Sequence, residues 1–115
     1  ALTIAASGCG LLIEHAGNGE AFIRARLTAS GGLVRPRLSD GTRVLTYEGD
    51  LVAGEQLVID GQAGTVRDGD GVNRLHSITG DFPMLSPGEN LLVYEDAASS
   101  SHSGLLEVWY RDLWV

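Results

Sequence analysis

The sequence predicts an all-β protein, a two-layer antiparallel β-sandwich, and three observations carry this prediction. Short apolar runs recur every ~8–12 residues with turn signals between them, which is typical of a sandwich or a barrel. Helical periodicity is almost absent. The 16 glycines stand between the apolar runs and only 3 prolines accompany them, so the glycine excess serves turns and does not indicate disorder. At 115 residues the chain is long enough for one hydrophobic core and too short for two, so we expect a single domain over residues 1–115.

The predicted strands follow one another along the whole chain, about eight or nine of them forming the two layers. The strand-like runs are 11–15, 21–27, 33–38, 42–48, 56–60, 65–67, 72–78, 91–95 and 104–111, and residues 51–52 precede a turn at 53–55. In 21–27 the residues alternate, which predicts that Arg24 and Arg26 point outward and Ile23, Ala25 and Leu27 point inward. Pro36 lacks a backbone N–H, so the run 33–38 is predicted to lie at an edge or a bulge.

The most informative segment is the corner from Asp81 to Asn90, with the sequence Asp-Phe-Pro-Met-Leu-Ser-Pro-Gly-Glu-Asn. Pro87 fixes φ at the first corner of a tight turn, and Gly88 can take the positive φ that the second corner of a type II turn requires. We expect this turn to bring Asn90 to the start of the next strand, with Phe82 and Leu85 anchored in the core.

The charge balance argues against nucleic-acid binding. The net charge is −7 and the chain has no lysine, so its eight basic residues are all arginines. Phosphate binding needs clustered Lys and Arg. The pairs Arg24/Arg26 and Arg35/Arg37 each have the spacing that places two side chains on one face of a strand. Either they lie on a solvated sheet face or they meet an acidic patch on a neighbouring subunit.

The cysteine count and the hydropathy pattern argue against disulfide-bonded, cysteine–metal and membrane-spanning proteins. Cys9 is the only cysteine, so the chain forms no intrachain disulfide and no cysteine-based metal site, and we expect a buried, inert thiol. No apolar run approaches the roughly 20 residues that a membrane span needs. We therefore predict neither a metal, nor a cofactor, nor a membrane partner.

One acidic loop resembles a calcium site at first sight. Asp68, Asp70 and Asn73 offer oxygen donors at short intervals, but the EF-hand pattern requires a bidentate Glu at the twelfth loop position, which is Thr79 here. A hairpin turn explains the run without a metal.

Catalytic constellations are not predicted either. The histidines His15, His76 and His102 stand far apart without zinc-ligand spacing. Residues 99–103 combine serines with His102, but no Gly-x-Ser-x-Gly elbow surrounds them. A glycosidase needs two acids ~5–9.5 Å apart. Four acids are the candidates, and their spacing does not support that geometry: Asp81, Glu89, Glu95 and Asp96. The sequence predicts no enzyme.

The closing strand and the C-terminal end carry the residues best suited to binding a partner. Alternation places Val108 and Tyr110 on one face of the strand and Trp109 and Arg111 on the other, so we expect one aromatic side chain in the core and one outside. Tryptophan, tyrosine and arginine are enriched at interface hot spots. Trp109, Arg111 and Trp114 are therefore the predicted partner interface, although core packing explains the aromatic residues equally well.

The order of these signals resembles a known family. The corner F-P-x-L-x-P-G-x-N at residues 82–90 is its most specific part. Further elements come in the same order over residues 10–115: Asn18-Gly19-Glu20, Val34-Arg35-Pro36, Ala53-Gly54-Glu55, Asp70-Gly71-Val72-Asn73 and Val108-Trp109-Tyr110-Arg111. They resemble the C-terminal galectin-like β-sandwich, similar to a jelly roll, of distal tail and minor tail proteins of siphovirus-type bacteriophages. The N-terminal tube-like domain of a full distal tail protein is missing, so the chain is either the C-terminal part of a larger tail protein or a stand-alone component.

The resemblance implies a structural, non-enzymatic role. It implies a module of the distal tail, baseplate or minor tail, located in the virion, made in the host cytoplasm, and assembled with other tail proteins and with copies of itself. The alternative is a carbohydrate-binding module that recognises host-surface glycans, because galectin-like sandwiches bind sugars with aromatic, Arg, Asn and Glu clusters. An aromatic content of 6% counts against it.

Overall fold

A computed structural model describes residues 2–110 of the protein. Within this range it contains thirteen β-strands and one 3₁₀ turn, Leu75–Ser77, and no helix long and apolar enough to cross a membrane. The strands are β1 Leu2–Ile4, β2 Cys9–His15, β3 Ala21–Ala29, β4 Leu33–Val34, β5 Arg37–Ser39, β6 Val44–Tyr47, β7 Asp50–Leu51, β8 Gln56–Asp60, β9 Thr65–Asp68, β10 Ile78–Gly80, β11 Met84–Leu85, β12 Gly88–Glu95 and β13 Gly104–Tyr110.

Two antiparallel sheets form the layers, as predicted. The six-stranded sheet has the order β1-β13-β3-β8-β9, with β11 also paired to β3, and the five-stranded sheet has the order β10-β6-β5-β12-β2. Strands β4 and β7 make a separate two-stranded ribbon. The edges of the five-stranded sheet are therefore β10 and β2. The longest described strands are β3 in the six-stranded sheet, with 9 residues, and β12 in the five-stranded sheet, with 8 residues.

Side-chain alternation determines which residues face the core. In β3, Ile23, Ala25 and Leu27 are buried while Arg24 and Arg26 point outward, which confirms the prediction from the sequence. The core lies between the two sheets. The six-stranded sheet contributes Ile23, Ala25, Leu27, Leu57, Ile59, Val66 and Leu106, and the five-stranded sheet contributes Ile13, Leu38, Leu45, Tyr47, Leu92 and Tyr94. Cys9, expected to be buried, is half-buried at the margin of this core.

The predicted strand over residues 33–38 is wrong. The structure divides it into β4 and β5, which belong to different sheets. The break lies at Arg35, which has a positive φ of 49° and whose N–H donates to the carbonyl of Gly49. Pro36 lies between the two strands, so its missing N–H costs neither of them a ladder bond.

The predicted strand over residues 72–78 is also wrong, and local hydrogen bonds explain why. The Asn73 side chain accepts the N–H of Leu75 at 2.9 Å, and the N–H of Ser77 donates to the carbonyl of Arg74. These two bonds turn the backbone into a 3₁₀ turn before β10 begins at Ile78. By contrast, the predicted strand over residues 56–60 matches β8, and β1 was not predicted.

The corner before β12 is closed by the side chain of Asn90. Gly88 has φ of 96°, as the predicted turn requires. The Asn90 amide receives the N–H of Ser86 at 2.9 Å and donates to the carbonyl of Ser86 at 2.8 Å and of Gly88 at 3.1 Å. Leu85 is 1% exposed and anchors the corner in the core, whereas Phe82 is only half-buried against the core.

Candidate functional site

The outer surface of the six-stranded sheet carries an aromatic and arginine cluster. It consists of Phe22, Arg24 and Arg26 on β3 together with Glu107 and Trp109 on β13, and we call it the Trp109 face. The register of the sheet places Trp109 opposite Arg24 and Glu107 opposite Arg26. Trp109 is 47% exposed and Phe22 is 42% exposed, so two aromatic rings of this face meet solvent.

The Trp109 ring is held by its neighbours before any partner arrives. The Arg26 guanidinium lies over the Trp109 ring with its carbon 5.4 Å from the ring centroid, a cation–π contact. Glu107 fixes that guanidinium, because one carboxylate oxygen accepts Nε at 2.9 Å and Nη2 at 2.8 Å. A side chain that is already ordered loses less conformational entropy on binding.

The arginines divide into paired and unpaired residues. Five of those within residues 2–110 form ion pairs inside the molecule: Arg26–Glu107, Arg35–Glu48, Arg37–Glu95, Arg43 with Glu20 and Asp40, and Arg74–Asp68. Arg24 and Arg67 have no ion-pair partner among the described residues. Both lie on the outer surface of the six-stranded sheet, and Arg24 stands directly opposite Trp109.

The prediction that one of Trp109 and Tyr110 is in the core is wrong. Tyr110 is 41% exposed and Trp109 is 47% exposed, and Val108 is the last residue of β13 that packs against the core. β13 extends beyond the core at its C-terminal end, so both Trp109 and Tyr110 remain exposed although they lie on opposite faces of the strand. The Tyr110 hydroxyl donates to the backbone carbonyl of Glu14 at 3.1 Å. The other two predicted interface residues, Arg111 and Trp114, lie outside the described residues.

A second polar cluster surrounds Asp96, and sequence patterns did not reveal it. The Asp96 side chain is fully buried. One carboxylate oxygen accepts the hydroxyls of Tyr94 at 2.8 Å and Ser100 at 2.6 Å, and the other lies 2.5 Å from Nδ1 of His102. Burial, and then the hydrogen bond to Asp96, raise the pKa of the Tyr94 hydroxyl. The cluster fastens the loop after β12 to the core.

This arrangement does not assemble a nucleophile and its base. Ser100 is 7% exposed and its hydroxyl donates to Asp96, so it is not directed at the imidazole of His102. The other histidines lie elsewhere: His15 is buried and its Nε2 lies 2.7 Å from the carbonyl oxygen of Gly19, and His76 is exposed in the 3₁₀ turn. Of the four candidate glycosidase acids, Glu95 is paired with Arg37 and Asp96 is buried.

The acidic loop is a hairpin held by Asp68. One carboxylate oxygen accepts the N–H groups of Asp70 and Val72, each at 3.0 Å, and the other accepts the guanidinium of Arg74. The hydrogen bond from the Val72 N–H, followed by those from Arg74 and Asp70, lowers the pKa of the Asp68 carboxyl. The carboxylate is thus engaged by the turn itself.

Comparison with known proteins identifies the family. A family model described as the C-terminal domain of a siphovirus-type tail component matches residues 16–114. The chain belongs to this family.

A solved structure shows the same fold. The siphovirus-type tail domain superimposes on the crystal structure of the Dit protein (gp 19.1) of phage SPP1 with a TM-score of 0.70 at 12% sequence identity. That protein is described as a paradigm of the hub adsorption apparatus in phages that infect Gram-positive bacteria. The match covers 96% of this chain and 46% of SPP1 Dit, so the chain spans about half of the length of that protein. No curated protein matches the chain by sequence.

These comparisons confirm the resemblance drawn from the sequence. The protein is a structural component of a siphovirus-type phage tail, and the virion is its location. The carbohydrate-binding alternative is not favoured.

Proposed function

We propose that this tail domain mediates protein–protein assembly and that the Trp109 face is its contact surface. The exposed, pre-ordered ring of Trp109 carries the proposal. Trp and Arg are the residues most often found at the energetic centre of interfaces, where a fixed aromatic ring enters a pocket of the partner. Phe22 and Arg24 extend the same surface, and Arg24 has no ion-pair partner within residues 2–110, so the face combines apolar area with a positive charge.

The partner is a protein, because the chemistry of the face suits protein better than sugar. A sugar platform needs several exposed rings around free hydrogen-bonding side chains. On this face the Arg26 and Glu107 side chains are already bonded to each other. Other tail proteins and further copies of this chain are the proposed partners, with Arg111 and Trp114 as additional anchors. We further propose that residues 1–115 act as one non-enzymatic domain, made in the host cytoplasm and retained in the virion.

Assembly with the Trp109→Ala variant tests this proposal. Purified wild-type or variant protein is added to an infected-cell extract that lacks it, and the number of complete tails is counted against protein concentration. Loss of the ring is expected to weaken incorporation by about 2–4 kcal/mol, which is a shift of the titration midpoint by more than tenfold. Leu75→Ala is a matched control, because Leu75 is 41% exposed on the 3₁₀ turn and lies outside the Trp109 face.

The same variants separate the two classes of partner. If Trp109→Ala assembles tails like the wild type and loses specific binding on a glycan array, the protein-contact proposal is overturned in favour of sugar recognition. If Leu75→Ala impairs assembly as strongly as Trp109→Ala, the contact is not centred on Trp109.

A further inference from the structure

Two exposed leucines lie at the β2 edge of the five-stranded sheet, which is the sheet that does not carry the Trp109 face. β2 lies at the end of the five-stranded sheet and is paired there with β12. Leu12 is 72% exposed, and Leu91, directly opposite on β12, is 49% exposed. Leu91 leans over Gly10, where a Cβ would come within 2.7 Å of its Cδ1. Because Gly10 has no side chain, the Leu91 side chain can lie over the backbone of β2.

Two like charges stand beside this apolar pair. The register places Glu14 directly opposite Glu89, and both are exposed. Neither forms an ion pair among the described residues, and neither β2 nor β12 contains Arg or Lys. Opposed like charges on one face of a sheet destabilise it. A cation from another molecule that lies between the carboxylates of Glu14 and Glu89 would remove this repulsion.

From Cys9 to Ile13, the described residues leave the outer side of β2 without the usual protection of an edge strand. Edges are commonly blunted by proline, lysine, a bulge or a covering element. β2 has seven residues with neither proline nor lysine. Near one end the Tyr110 hydroxyl bonds to the carbonyl of Glu14, while from Cys9 to Ile13 no described strand pairs with β2 on that side.

We propose that β2 accepts an extended segment of another protein as an added strand. An apolar side chain of that segment covers Leu12 and Leu91, and an Arg or Lys two residues along lies between Glu14 and Glu89. Main-chain hydrogen bonds supply affinity in strand addition, and alternate side chains supply specificity. A second copy of this chain does not meet the requirement as well, because its β2 and β12 bring no cation and its net charge is also −7.

Two synthetic peptides of seven residues test the surface. The first, Thr-Val-Thr-Arg-Thr-Val-Thr, places valine and arginine on one face, and the second has Glu in place of Arg. Each is titrated into the nitrogen-15-labelled full chain, and backbone amide shifts are followed by NMR. We expect the arginine peptide to shift the amides of Cys9–Ile13, and the glutamate peptide to bind on the order of tenfold more weakly.

Variants of the chain locate the contact. Leu12→Asp is expected to reduce binding of the arginine peptide on the order of tenfold or more. Val52→Asp is the matched control, because Val52 is 62% exposed just after β7, and it should bind like the wild type.

Several outcomes would overturn the inference. The inference is contradicted if the arginine peptide causes no amide shifts, or if both peptides bind equally well. It is also contradicted if Leu12→Asp and Val52→Asp weaken binding of the arginine peptide equally. Concentration-dependent dimerisation of the wild type that Leu12→Asp abolishes would assign the surface to a second copy instead.

Discussion

The corner at residues 82–90 and the Trp109 face use their side chains in opposite ways. In the corner, the amide of Asn90 and the carboxylate of Asp40 are satisfied inside the molecule, and Leu85 is buried beneath them. At the Trp109 face, a large aromatic ring remains half in solvent although Arg26 holds it in place. The corner side chains therefore stabilise the fold, whereas the Trp109 ring is ordered but contributes little to the stability of the fold.

Asp40 is the residue that connects the corner to the rest of the sandwich. Its side chain is 7% exposed. One oxygen accepts the N–H groups of Thr42 at 2.8 Å and Arg43 at 2.6 Å, and the other accepts the N–H of Met84 at 2.9 Å and the Arg43 guanidinium at 3.2 Å. A single carboxylate thus joins the turn after β5 to strand β11.

The largest effect is expected at Leu85. Leu85→Ala should lower the free energy of unfolding by about 2–5 kcal/mol, because the change removes buried apolar atoms and leaves a cavity. Leu12→Ala, with the same chemical change at an exposed site, should alter it by no more than about 0.5 kcal/mol. Urea denaturation followed by tryptophan fluorescence measures both. Similar losses in the two variants would contradict the assignment of Leu85 to the core and Leu12 to the surface.

A smaller loss is expected from Asp40→Asn. The amide can accept through one atom only and cannot attract the Arg43 guanidinium, so the Met84 N–H or the turn loses its acceptor. We expect a loss of about 1–3 kcal/mol in the free energy of unfolding. Denaturation at neutral pH gives the value, and Asp70→Asn is a suitable control because Asp70 is exposed and its side chain accepts no described hydrogen bond. An Asp40→Asn variant as stable as the control would contradict the role given to this carboxylate.

Acid should weaken the same connection. Burial alone raises the pKa of the Asp40 carboxyl, but hydrogen bonds from Arg43, Met84 and Thr42 outweigh burial and hold the pKa below its ordinary value of 3.8. A group whose pKa is depressed by folding stabilises the protein above its unfolded pKa, and this stability is lost as the pH falls through the folded pKa. Between about pH 5 and pH 2, the wild type should therefore lose more stability than Asp40→Asn. Parallel pH profiles for the two proteins would refute this linkage.

A small effect on stability is expected at the other end of the comparison, at Trp109. Trp109→Ala removes a half-exposed ring, and its cation–π contact with Arg26 is worth about 0.5–1 kcal/mol at an exposed site. The variant should therefore fold, with a melting temperature within a few degrees of the wild type by circular dichroism. A loss as large as that of Leu85→Ala would show that Trp109 supports the fold rather than a partner contact.

Local patterns predicted the layers well, and they failed where distant groups decide the backbone. Period-two alternation identified β3, the apolar run at residues 56–60 identified β8, and turn chemistry identified the positive φ of Gly88. The turn at residues 73–77 depends on the Asn73 side chain, and the break at Arg35 depends on Gly49, so neither can be inferred from strand propensity.

The two buried carboxylates were missed for the same reason. The Asp40 carboxylate accepts the N–H of Met84, 44 positions away in the sequence. The backbone N–H of Asp96 donates to the hydroxyl of Ser7, 89 positions away. At the candidate site the sequence identified Trp109 as a candidate contact residue. It did not show that Trp109 is exposed, because this depends on the core ending at Val108. Arg26 and Glu107 had no signal beyond their place on alternating strands.

Oxidative footprinting of Trp109 compares the free protein with the protein inside the tail. Hydroxyl radicals are applied to the purified chain and to intact virions, and the modification of Trp109 is quantified by mass spectrometry, with the exposed Leu75 as internal reference. If the Trp109 face is covered by a neighbouring protein, Trp109 is oxidised in the free chain and strongly protected in the virion relative to Leu75. Equal oxidation of Trp109 in both states would contradict the assignment of this face to assembly.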